Sequence, residues 1–257
     1  MAGTAAVTQI GPESFLGVFL IFCRVGGCLL VVPGFASPRV PQQVRLLVAG
    51  AVSFAVTPLL LPLFQGRLAG QAPGETLAWI ATETLTGLLI GFLGRIFVIV
   101  LETAINAAAV MTGIGSMPGT PVEGTDPAPP VESLILLAAT VLLFVTDLHW
   151  ELFRGLVESY ARIPPGEGLG SQIALTRIVD QVADAFTLGL RVTAPFVIYA
   201  VAVNLAAGFV NKLTPSIPVY FVATPFVMFG ALLMFYYLSG ELMMQFFAGY
   251  AAWLRKG

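Results

Sequence analysis

Residues Met111–Glu132 read MTGIGSMPGTPVEGTDPAPPVE, and they separate two strongly apolar halves of the chain. The stretch contains four glycines and five prolines and no Lys or Arg; it is apolar at first and acidic later. No helix continues through it, because each proline removes a backbone donor and pushes the preceding residue out of the α region. At membrane depth such irregular backbone is tolerated only inside protein or beside a water-filled cavity. The stretch is therefore either a surface loop or a segment that lines or closes a cavity.

The composition identifies an integral membrane protein. Of 257 residues, 57% are hydrophobic and only 10% are charged, with a mean hydropathy of +0.91, whereas a soluble domain carries about 25% charged residues. The formal net charge of −2 argues against a nucleic-acid partner, which would need a basic surface. Cys23 and Cys28, five residues apart in one apolar segment, are expected to be small core residues.

Apolar runs separated by Gly/Pro corners predict the fold. We expect an all-α integral membrane protein with about six long, kinked helices arranged as helical hairpins, forming a single membrane domain over residues 1–257. The predicted helices are 14–32, 42–64, 75–111, 131–161, 172–212 and 220–255, with a plug-like loop at 112–130. Several of them are longer than the length needed to cross, once, a hydrocarbon layer about 30 Å thick.

Two proline-rich corners are predicted to be the tips of helical hairpins, because proline fixes the backbone of a turn. They contain Pro33, Pro38 and Pro41 in the first and Pro215 and Pro218 in the second.

Ionisable residues lie within or beside the apolar runs, where they are costly and usually face protein or water in pairs. The set is Arg24, Glu83, Arg95, Glu102, Asp147, His149, Asp184, Arg191 and Glu241. Positive and negative residues are about balanced, which favours pairing between packed helices over a relay of protons or ions. Arg95 and Glu102 lie two turns apart on one helix, so each is expected to find its partner on another helix. The sequence leaves open which residues pair.

The sequence contains no pattern typical of an enzyme or a metal site. Asp147 and His149 stand at i and i+2 and do not share a helix face, which makes a poor metal site. The chain has no nucleophile–base order, phosphate loop, CxxC or HExxH motif. We therefore expect neither catalysis, nor a metal, nor a cofactor.

Four motifs, in order, resemble FliR, the flagellar biosynthesis protein family, and its counterparts in virulence type III secretion. The first is Arg24-Val25-Gly26-Gly27 followed by Pro33, Phe35, Ser37, Pro41 and Arg45; the second is Glu83-x-x-x-Gly87-x-x-x-Gly91 leading to Glu102 and Met111. The third is the Gly/Pro loop followed by an apolar run that ends at Asp147-Leu148-His149. The fourth and most specific is Asn204-Leu205-Ala206-Ala207-Gly208, then Asn211-Lys212 and Pro215-Ser216-Ile217-Pro218-Val219-Tyr220.

The resemblance implies a channel-forming subunit of the type III protein export gate, in the bacterial inner membrane within a flagellar basal body or an injectisome base. Its implied partners are FliP-like, FliQ-like, FlhB-like and FlhA-like subunits, exported unfolded proteins and membrane lipid. It also implies that the long helices do not all span the bilayer. In this family the loop that corresponds to Met111–Pro130 is thought to plug the channel.

The first half of the loop fits a plug better than the second half. Glycine permits close backbone approach and methionine fills irregular gaps, whereas the acidic second half would suit solvent. The predicted plug residues are Met111, Gly113, Ile114, Gly115, Ser116, Met117, Pro118 and Gly119. A polar surface loop remains the alternative for this stretch.

Three alternative functions remain open at this point. The same subunit could serve a virulence injectisome instead of a flagellum. A proton-coupled small-solute transporter could use Glu83, Glu102 or Asp147 as coupling sites, but such proteins usually contain internal repeats, and none is visible here. An intramembrane enzyme would need a nucleophile and a base, and the sequence shows no such set.

Overall fold

The computed structural model describes residues 12–37, 40–64, 67–68, 72–116, 129–168, 170–216 and 218–256, and every regular element in these ranges is helical. A short 3₁₀ helix covers Ile114–Ser116. The α-helices are α1 (Pro12–Val31), α2 (Gln42–Phe64), α3 (Pro73–Met111), α4 (Pro130–Val145), α5 (Leu148–Arg162), α6 (Ser171–Leu213) and α7 (Val219–Lys256). The predicted all-α fold is confirmed.

Five of these helices are long and apolar enough to cross a membrane, or six if the bent pair α4–α5 counts as one span. For five of the six predicted helices, the first and last residues lie within two positions of those of α1, α2, α3, α6 and α7. The prediction of one membrane domain stays a prediction.

The predicted helix 131–161 is two helices in the structure. Asp147 has φ +57°, a left-handed conformation that aspartate tolerates better than most residues. Its N–H donates to the carbonyl of Phe144, which closes the end of α4, and its carbonyl accepts from Trp150 in the first turn of α5. One residue thus ends one helix and starts the next. The sequence analysis missed this break because no glycine or proline marks it.

The residues group into two compact units. The first contains α1, α2, the start of α3 up to Leu93, most of α5 from Phe153, and the turn that leads into α6. In this unit α1 packs against α2 and also lies very close to α3. A Cβ atom placed on Gly27 would lie 2.7 Å from the carbonyl oxygen of Thr84, and one on Gly87 would overlap the carbonyl oxygen of Arg24. Small residues of the first and second motifs therefore permit backbone contact between these two helices.

The second unit contains the rest of α3, α4, and nearly all of α6 and α7. Helices α6 and α7 form an antiparallel hairpin: the rings of Phe196 and Phe235 stack with centroids 4.2 Å apart, and Tyr199 donates to the carbonyl of Val227 over 3.0 Å. An apolar groove of about 880 Å³ lies between α4 and α7.

Both predicted corners connect consecutive helices. In the first, Pro33 is buried and Pro41 is exposed, whereas Pro38 lies outside the described residues. In the second, Pro215 and Pro218 are exposed, and the carbonyl of Pro218 accepts from Phe221 and Val222 in the first turn of α7.

Candidate functional site

The predicted plug begins where α3 ends. Helix α3 stops at Met111, Gly113 has φ +80°, and the 3₁₀ helix Ile114–Ser116 follows. Thr112, which is 1% exposed, closes the helix by donating from its hydroxyl to the carbonyl of Ala108 over 2.8 Å.

The described plug residues differ in exposure. Ile114 is 2% exposed, whereas the Met111 side chain is 49% exposed. Gly113 and Gly115 are half-buried, and nothing is described of the Ser116 side chain. Met117, Pro118 and Gly119 lie outside the described residues. The plug role therefore stays a prediction for all eight residues.

The start of the predicted plug lies beside the fourth motif. Met111 and Asn204 line one cavity of about 440 Å³, together with Ala200, Val201 and Leu205 of α6. The amide of Asn204 donates to the carbonyl of Ala200 over 2.8 Å, within its own helix. The fold thus joins two motifs that lie far apart in the sequence.

The structure pairs two of the predicted charges deep in the first unit. Arg24 on α1 and Glu83 on α3 have side chains that are 0% and 1% exposed, and two parallel hydrogen bonds of 2.7 and 3.0 Å join them. Nη1 of Arg24 donates to Oγ of Ser159 and to the carbonyl of Ile163, each at 3.2 Å, and Nη2 also reaches that carbonyl at 3.2 Å. All five N–H donors of the guanidinium are therefore used. The Tyr160 ring lies 3.8 Å from the guanidinium carbon and adds a cation–π contact.

The same ion pair holds the turn between α5 and α6. The N–H of Gly166 donates to Oε1 of Glu83 over 3.0 Å. Gly166 has φ +79°, and a Cβ atom there would overlap the ring of Trp79, which lies one turn before Glu83 on α3. Glycine is therefore required at this position for both its conformation and its contact. The chemistry of the cluster is that of a buried, hydrogen-bonded ion pair.

The other predicted charges are less buried. Arg95, Glu102 and His149 are half-buried. Asp147, Asp184, Arg191 and Glu241 are exposed on the surface of this single chain, so their burial would have to come from lipid or from another protein. Pairing of these residues stays a prediction.

Sequence reasoning missed several members of the Arg24–Glu83 cluster. Ser159 and Tyr160 lie on α5, where the buried Leu152, Leu156 and Tyr160 recur at four-residue spacing. That spacing was a readable signal for the buried face of an amphipathic helix. The accepting carbonyl of Ile163 had no such signal, because any residue supplies a carbonyl.

The sequence analysis also gave no role to Glu132. This residue lies in the first turn of α4 and is 2% exposed. Its Oε2 atom is buried and has no hydrogen-bond partner.

Comparison with known proteins supports the family resemblance. The sequence model of the family described as Bacterial export proteins, family 1, matches residues 15–252. The chain is 30% identical over 230 residues to the flagellar biosynthetic protein FliR of Caulobacter vibrioides, covering 86% of this chain and 88% of that protein. It is 25% identical over 224 residues to FliR of Aquifex aeolicus and 26% identical over 234 residues to FliR of Escherichia coli, in each case covering 84% of this chain and 83% of the relative. The resemblance to FliR is thereby confirmed, and the chain belongs to family 1 of the bacterial export proteins.

Proposed function

We propose that this protein is a channel-forming subunit of the flagellar protein export gate in the inner membrane, where it helps unfolded proteins to cross. Its family consists of bacterial export proteins, and the three relatives compared above are each named as flagellar biosynthetic proteins. Those names favour the flagellum over an injectisome. No observation favours a solute transporter.

The observation that carries the proposal is the length of the exposed apolar hairpin. Helix α6 has 43 residues and α7 has 38, so they extend about 65 and 57 Å at about 1.5 Å per residue. Hydrocarbon about 30 Å thick covers only half of either helix. Large apolar side chains are nevertheless exposed along both, including Phe186, Leu205, Phe209, Phe221, Phe226, Phe229, Tyr236 and Met244.

Charged residues on α6 support the same conclusion. Asp180, Asp184 and Arg191 are exposed on this helix, and charged side chains rarely face lipid. A helix with both exposed charges and exposed apolar residues fits best against other subunits. We propose FliP-like and FliQ-like subunits as these neighbours, with FlhB-like and FlhA-like subunits also in the gate.

In this proposal the first half of the loop, Met111–Thr120, closes the channel at rest. A channel wide enough for an unfolded chain must be sealed against ions. Small and apolar residues pack into such a seal and can separate when a substrate enters.

A gene deletion combined with purification tests this function. We expect the deletion strain to be non-motile and unable to secrete filament protein, and a plasmid copy should restore both properties. An affinity-tagged chain extracted in mild detergent should co-purify with small, multi-helix membrane proteins identified by mass spectrometry.

Two results would contradict the proposal. One is a deletion strain that still assembles filaments. The other is a tagged chain that restores motility yet purifies as a stable monomer from the same membranes.

A further inference from the structure

Glu132 is a buried carboxyl group that the proposed export function does not use. It is 2% exposed, and its Oε2 atom is buried without a hydrogen-bond partner. Glu83 has nearly the same exposure, at 1%, but both of its oxygens accept hydrogen bonds and Arg24 balances its charge. The two glutamates therefore have similar burial, but they differ in the hydrogen bonding of Oε2 and in the sign of the neighbouring charge.

The charges around Glu132 favour a neutral group. Among the described residues, the titratable group whose charge acts on Glu132 is Glu102, on α3, and this charge has the same sign. The positive end of the α4 dipole favours an anion in the first turn. That effect is weaker than the cost of burying a carboxylate with an unpartnered oxygen, and a group in this position usually becomes neutral instead.

We propose that Glu132 is a proton-binding site and keeps its carboxyl proton to a higher pH than an exposed glutamate does. A proton fits better than a metal ion, because the described residues contain no group of three or more His, Cys, Asp or Glu side chains that could hold one. A hard cation needs about six oxygen ligands, whereas a proton needs one oxygen. The site lies in the first turn of α4, directly after the predicted plug loop. This inference does not depend on the proposed export function.

The first test compares Glu132→Gln with Glu83→Gln in the full chain, produced in its native membrane. Glutamine has the shape and charge of a protonated glutamate. Glu132→Gln should therefore accumulate at the wild-type level, whereas Glu83→Gln, which leaves Arg24 buried and unpaired, should accumulate several-fold less. Equal losses for the two variants would overturn the proposal.

The second test detects the proton by infrared spectroscopy of the protein purified from that membrane in detergent. The carbonyl band of a protonated carboxyl should be present in the wild type, absent in Glu132→Gln, and retained in Glu241→Gln, whose carboxyl is exposed. In Glu102→Gln the band should disappear at a lower pH than in the wild type, because the like charge is gone.

Two spectroscopic results would overturn the proposal. Identical carboxyl bands in the wild type and Glu132→Gln would mean that Glu132 is ionised. A band that appears only when Na⁺ is withdrawn at constant pH would mean that the oxygen binds a cation instead.

Discussion

The N–H of Gly166 donates a 3.0 Å hydrogen bond to Oε1 of Glu83, a residue 83 positions earlier in the chain. The same oxygen accepts from Arg24, so one carboxylate joins α1, α3 and the turn after α5. Loss of the carboxylate would remove this acceptor from the buried guanidinium of Arg24 and from the half-buried N–H of Gly166. A polar group left unpaired away from water costs free energy. This ion pair therefore connects three elements of the first unit.

Glu83→Gln should strongly destabilise the protein. Removing one partner of a buried ion pair costs about 3–5 kcal/mol, because it leaves the other charge buried and uncompensated. We expect a lower melting temperature in detergent and less assembled complex, measured by fluorescence-detected size-exclusion chromatography. Glu158→Gln is the matched control, since its ion pair with Arg154 is exposed, with side chains 47% and 72% accessible. That loss should stay below about 0.5 kcal/mol. Similar losses for the two variants would refute a structural role for the buried pair.

Gly87→Ala should weaken the contact between α1 and α3. The new Cβ atom would overlap the carbonyl oxygen of Arg24, and overpacking of this kind typically costs about 1–3 kcal/mol. Gly26→Ala on α1 is the control, because no atom lies within 4 Å of its Cβ position. There we expect a gain of about 0.5–1 kcal/mol from the helix preference of alanine. Thermal unfolding of the two variants side by side measures the difference, and equal midpoints would show that close approach is not required.

Replacing Pro215 and Pro218 together by alanine should lower the yield of assembled complex. Each proline restricts the unfolded chain and fixes the turn, and a compatible proline contributes about 0.4–1 kcal/mol. Co-purification of the tagged variant with its partners measures assembly, and motility in soft agar measures function. Wild-type values for both would show that a rigid corner is unnecessary.

Deleting Gly113–Gly119 should leave the complex assembled but permeable to ions. The deletion removes the predicted seal, whereas the exposed faces of α6 and α7 remain for contacts with partners. Leakage of a small dye into cells that produce the complex is the measurement, with assembly verified on the same sample. A verified deletion complex that keeps dye out would reject the plug assignment.

The helices could be predicted from the sequence because helix formation depends on local chemistry. Long apolar runs specify helices, and clusters of Gly and Pro mark most of their ends, whereas single prolines such as Pro195 and Pro225 lie inside helices. The exception, the break at Asp147, depends on one aspartate adopting a left-handed conformation, which neighbouring residues do not predict. The family could also be predicted, because the sequence itself contains four motifs in an order that resembles this family.

The sequence by itself determined that this is an all-α membrane protein of the export family, and that charges would lie inside its apolar helices. Only the tertiary structure decided which charges meet. Arg24 pairs with Glu83 and then shares the carbonyl of Ile163, while Glu132 has similar burial and an unpartnered oxygen. The physical reason is that hydrophobic periodicity acts within a few residues, whereas the partner of a buried charge is set by the packing of distant helices.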